Sequence, residues 1–139
     1  MVRALWVGLL IMAIWMGADY VMHFSALAPY YSVNPGLWRP AAEMNIGLVF
    51  VVRIALIAAF MAAYHWYVTP KSVRSGALFG VLIGAQLGVG VGLGTYIHIP
   101  IPAGLAVGWL LGAIFKSVAA GLVVGWLLRP SSRPVADKQ

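Results

Sequence analysis

The chain has no cysteine, only three acidic residues, and only 9% charged residues in 139. Without thiols there are no disulfides, no thiolate metal sites and no cysteine nucleophile. So little charge excludes an ordinary soluble surface, since about a quarter of the residues of a soluble domain are charged. No polar stretch between the apolar runs is long enough for a soluble catalytic module. The chain is instead 63% hydrophobic, with a mean hydropathy of +0.94.

Four apolar runs approach or exceed the roughly 20 residues that carry a helix across a bilayer. They lie near Leu5–His23, Ile46–Val68, Gly76–Ile97 and Ala103–Leu128. The expected fold is therefore an all-α integral membrane protein. A single four-transmembrane-helix domain fills residues 1–130, and a disordered cytoplasmic tail follows over 131–139.

The net charge of +6 is a topology signal rather than a nucleic-acid footprint. With the N-terminus on one side, Arg3, Lys71, Arg74, Arg129, Arg133 and Lys138 share that side. Arg39 alone lies opposite, while Arg53 and Lys116 fall within spans. The positive-inside rule then predicts both termini cytoplasmic, in a bacterial inner (plasma) membrane. Arg3 before an apolar run has the form of a signal peptide. Trp6, Trp15 and the poor cleavage sequence Met16-Gly17-Ala18 favour a retained helix.

Glycine recurs every fourth residue at Gly76, Gly80, Gly84, Gly88 and Gly92, and again at Gly104, Gly108 and Gly112. On a helix this spacing makes a stripe without side chains, which lets another backbone approach closely. Glycine-ladder packing of the third and fourth helices follows. Gly90 with Gly94, and Ser117 with Gly121 and Gly125, form further small faces. They favour a homo-oligomer or docking against another membrane subunit.

The boundaries carry turn and interface signals. Tyr30, Tyr31 and Trp38 suit the headgroup region, as does Tyr64-His65-Trp66-Tyr67 at the opposite side. Pro40 and Glu43 suit a first helical turn, so the second helix is expected to begin before the bilayer. Asp19-Tyr20-Val21-Met22-His23 echoes Thr95-Tyr96-Ile97-His98. His65-Trp66-Tyr67-Val68-Thr69-Pro70 echoes Gly125-Trp126-Leu127-Leu128-Arg129-Pro130. Duplicated hairpins and chance similarity between membrane boundaries both account for this.

The candidate intramembrane polar site consists of Asp19, Arg53, Lys116 and Gln86. Lys116 is the rung after Gly112, roughly 20 Å along its helix, where a charge costs roughly 2.5–3.5 kcal/mol. Helical side chains lean toward their own N-terminus. The Lys116 stem is therefore expected to run outward over Gly112 and Gly108, either snorkelling through that groove or pairing with one acid, or else to line a solute or proton site that opens outward. Arg53 also points outward and Asp19 inward, so these two are expected to pair on antiparallel helices. One positive charge then remains, to be met by an anion, water, carbonyls or loss of a proton. Gln86 lies off the ladder face and is expected to hydrogen-bond another helix.

His23 and His98, with Asp19, offer imidazole and carboxylate ligands for zinc, copper or haem. No HxxxH or HxxE spacing supports such a site, so no cofactor is expected. His65 reads as an interfacial residue. No nucleophile–base or metal motif points to an enzyme. The leading expectation is a non-catalytic interaction or assembly subunit of a membrane complex or homo-oligomer. The alternative is a small-solute, anion or proton-linked transporter or channel that uses Asp19, Arg53 and Lys116.

Overall fold

The computed structural model describes residues 2–128, and every regular element among them is helical. Four helices are long and apolar enough to cross a membrane: α1 (Val2–Ala26), α2 (Ile46–Tyr67), α3 (Val73–His98) and α4 (Ala103–Leu127). The tail at 131–139 and the cations Arg129, Arg133 and Lys138 lie outside the described residues. The long α1–α2 connection and the α3–α4 connection share one end, the loop end. Asn34 ties them together by donating to the Pro100 carbonyl at 3.1 Å. The short α2–α3 connection marks the opposite, turn end.

Local chemistry sets the helix starts. The Asn45 side chain accepts the Leu48 N–H at 2.9 Å and caps α2. Glu43 belongs to a separate 3₁₀ turn, Ala41–Glu43. The second helix therefore starts at Ile46, and the expected extension through Pro40 and Glu43 is absent. Ser72 and Ser75 cap α3 reciprocally: Ser72 Oγ accepts the Ser75 N–H at 3.1 Å, and Ser75 Oγ accepts the Ser72 N–H at 2.9 Å. These bonds satisfy amides that the first turn leaves without helical partners.

Gly76, Gly80, Gly84, Gly88 and Gly92 are all buried. A Cβ on Gly84 would lie 2.6 Å from Ile114 Cα, and one on Gly80 would lie 2.7 Å from Val118 Cα. The facing small residues of α4 are Ser117, Gly121 and Gly125 rather than a surplus face. The row Gly104, Gly108, Gly112 serves a different neighbour. It makes room for the side chains of Tyr30, Leu27 and Met22 respectively. Gly90 has open space around it.

The main core occupies the turn half, where Val7, Ile11 and Trp15 meet Ile57, Phe60, Tyr64, Ala120 and Val124. Tyr64 is fully buried, its ring 5.8 Å from that of Phe79, so it leaves the expected interfacial belt. Trp66 and Tyr67 remain exposed. A smaller cluster of Leu27, Ile101, Leu105 and Ala106 closes the loop end. Between these clusters, α1 and α3 each contain one π-helical turn, Met22–Ala26 and Val89–Leu93. Such turns shift the side chains that follow and often mark functional sites.

Candidate functional site: one carboxylate between two cations

Asp19 lies on α1 one turn before the π-helical segment, with its side chain 13% exposed. Both membrane cations reach it. Lys116 Nζ, from the middle of α4, donates a hydrogen bond to Oδ1. Arg53, from α2, faces Oδ2 as an ion pair without hydrogen-bond alignment. Side-chain exposure is 16% for Lys116 and 23% for Arg53, so water screens the cluster only weakly. With the three groups ionised, the cluster carries a net charge of +1.

Lys116 shares an open cleft wall with Gly108 and Gly112, but its ammonium leaves that row for Asp19. Met22 fills the space over Gly112 and Leu27 the space over Gly108. Trp15 fixes the same level of the bundle by donating its indole N–H to the Lys116 carbonyl at 2.9 Å. Gln86 is not part of the cluster. It is exposed on α3 and makes no side-chain hydrogen bond among the described residues, contrary to expectation.

A polar chain leads from Asp19 toward the loop end. His23 Nε2 is 3.9 Å from Asp19 Oδ1, too far for a direct hydrogen bond. His23 Nδ1 is 2.5 Å from Tyr31 Oη, which also accepts the Trp109 indole N–H at 2.8 Å. The direction of the His23–Tyr31 bond follows the His23 tautomer: Tyr31 donates where Nδ1 is bare and accepts where Nδ1 carries the proton. Tyr31 is held in turn by Trp38, whose indole N–H donates to the Tyr31 carbonyl at 3.1 Å. Burial pushes the Tyr31 phenol above its ordinary 10.0. The Trp109 hydrogen bond acts in the opposite direction, and the Asp19 charge adds to the rise.

Beside this chain is a cavity of about 330 Å³. Its walls are mainly apolar and include Trp15, Met22, Leu56, Leu87, Val91 and Trp109. Lys116, His23 and Ser117 supply its polar edge. Both π-helical turns contribute to the wall. The arrangement is suited to a small anion with an apolar body: the cluster has positive charge in excess, and the walls favour hydrocarbon.

Tyr31, Trp38 and Trp109 were not separable in the sequence from ordinary interfacial aromatics, and Trp15 marked a retained helix but not the site. His98 is exposed, and no hydrogen bond or ion pair joins it to His23 among the described residues. Those residues contain no group of three or more metal-ligating side chains. A metal at Asp19 would have to displace two side-chain cations. His65 is exposed near the turn end. Comparison of the chain with protein-family models, with curated proteins and with solved structures found no match.

Proposed function

We propose that the protein is a small, non-enzymatic membrane carrier or channel for an organic anion, with its site open toward the outer face. One observation carries this reading. Asp19 faces two cations, and one of them, Lys116, also edges an apolar cavity. Holding a charge in the bilayer interior is costly, so an excess cation at this depth calls for a counter-ion. A monocarboxylate bearing an aliphatic or aromatic body meets both demands. N-in/C-in orientation in a bacterial inner membrane belongs to the same proposal, on the strength of the basic asymmetry. The glycine seam between α3 and α4 then serves as a rigid wall against which α1 and α2 form the site.

Equilibrium binding of monocarboxylates with graded apolar bodies, on the detergent-solubilised protein, tests the reading. Affinity rises with the apolar body and falls at least about tenfold in Lys116→Met, the scale of a charged hydrogen bond. Absence of binding across the series, or affinity indifferent to Lys116→Met, contradicts it.

Exposed Gln86, with open Gly90 one turn further, supports a second reading as an assembly subunit. A primary amide facing lipid gains most from pairing with another helix. Loss of a homo-oligomer or membrane complex in Gln86→Leu, with unchanged anion binding, would separate the two roles.

A further inference from the structure

At the turn end, α1, α2, the α2–α3 connection and the end of α4 enclose a second cleft, of about 670 Å³. Its basic side chains come from separate elements: Arg3 from α1, His65 from α2 and Lys71 from the connection. Lys71 Nζ makes one long hydrogen bond, 3.4 Å, to the Val68 carbonyl. An ammonium has three N–H groups, so two remain for a ligand. The acidic residues among the described residues, Asp19 and Glu43, both lie toward the loop end, and neither pairs with Arg3 or Lys71. The remaining wall includes Met61, Ala62 and Leu128, and Trp66 stands beside it 71% exposed.

We propose that this cleft binds the headgroup phosphate of an anionic phospholipid. Arg3 and Lys71 hold the phosphate, and the start of an acyl chain runs along Met61, Ala62 and Leu128. The combination selects a lipid over a soluble anion because it joins cations from two elements to a hydrocarbon wall at a membrane boundary. A basic pocket between helices near the surface has the chemistry of phospholipid headgroup recognition. Exposed Trp66 suits the same depth, where an indole has one face in hydrocarbon and its N–H in water. This site is distinct from the Asp19 cluster, and the inference stands independently of anion transport.

The test is native mass spectrometry of the full chain released from nanodiscs holding phosphatidylglycerol and phosphatidylcholine in equal amounts. Wild type retains phosphatidylglycerol preferentially. Arg3→Gln with Lys71→Gln lowers that preference about thirtyfold, the product of roughly 1 kcal/mol for each basic side chain near the surface. Arg3→Lys with Lys71→Arg keeps it. Arg74→Gln, an exposed α3 cation that does not line the cleft, also keeps it. Equal retention of both lipids by wild type overturns the proposal, whatever the variants do. So does a loss in Arg74→Gln as large as in the double variant, which would mean diffuse surface charge. Displacement of the lipid by inorganic phosphate at equal concentration would assign the cleft to a free anion and overturn the lipid assignment.

Discussion

Lys116 hydrogen-bonds Asp19 across the α1–α4 interface. It is the fourth rung of a row whose other three are glycines. Gly104, Gly108 and Gly112 accept the bulk of Tyr30, Leu27 and Met22, and the fourth position supplies a charge. The row therefore seats the end of α1 and the following loop against α4, with the ion pair at its deep end. Arg53 closes the other side of the carboxylate and links α2 to the same point.

Neutralising Asp19 leaves two cations facing one another in a poorly screened interior. Asp19→Asn is expected to destabilise the bundle by about 3–5 kcal/mol, the scale for breaking a buried ion pair. Adding Lys116→Met to Asp19→Asn recovers part of the loss, giving a coupling of about 1–3 kcal/mol. Unfolding in mixed micelles measures both. Strictly additive losses would mean that Asp19 and Lys116 do not interact.

The glycines of α3 divide into a packed seam and an open face. Gly84→Leu would drive a side chain into the backbone at Ile114, and Gly88→Leu would do so at Leu110. Each is expected to cost at least about 2 kcal/mol by overpacking. A Cβ at Gly90 would meet nothing within 4 Å, and Gly90→Leu is expected to stay within about 0.5 kcal/mol in detergent. Thermal melts of the three variants make the comparison. Equal sensitivity at Gly84 and Gly90 would contradict the seam.

Tyr31 links the loop to the site, and its phenol titrates above 10.0 because it is buried. A group whose proton is held more tightly in the folded state stabilises that state fully below the unfolded value. The contribution is lost as pH rises through the folded value. The loop is therefore expected to loosen only above pH 10. Tyr31→Phe is expected to remove that alkaline transition and to weaken the seating of His23 and Trp109 at neutral pH. Phenolate absorbance and tryptophan fluorescence follow both effects. A transition beginning below pH 10 would contradict the burial of this phenol.

Orientation rests on the basic residues. Reporter fusions after Arg74 and after Gln139 are expected to read cytoplasmic, and a fusion at Gly36 external. An external C-terminus would contradict this orientation.

The spans were legible in the sequence because a length of hydrocarbon imposes a length of apolar helix. The meeting of Asp19 and Arg53 was legible for a related reason, since antiparallel neighbours lean charged side chains toward one another. That Lys116 pairs with an acid was one reading of the sequence, but its sharing of Asp19 with Arg53 was not, because the direction of a side chain gives its sense along the axis but not its partner. Met22 and Leu27 occupy the space over Gly112 and Gly108, and the ammonium goes to Asp19 instead. The Gly104 row was assigned to the wrong neighbour because periodicity reveals a stripe, not what faces it. Ser117, Gly121 and Gly125 fill that place in the α3–α4 seam. The aromatic chain was invisible because it depends on the path of the long connection. Nothing in the spacing of Tyr31 and Trp109 brings their polar atoms to 2.8 Å.

The central claim is that the excess positive charge beside Asp19 carries an anion across the membrane. Its most direct test is counterflow of a labelled aromatic or aliphatic monocarboxylate in proteoliposomes, with Lys116→Met beside wild type. Lys116→Met keeps the Asp19–Arg53 pair and most of the lysine's stem volume, so it removes the excess charge while leaving the pair intact. The account predicts saturable counterflow in wild type and its loss in a Lys116→Met protein that retains wild-type melting behaviour. Absence of wild-type counterflow across the carboxylate series, or full counterflow in Lys116→Met, would contradict it.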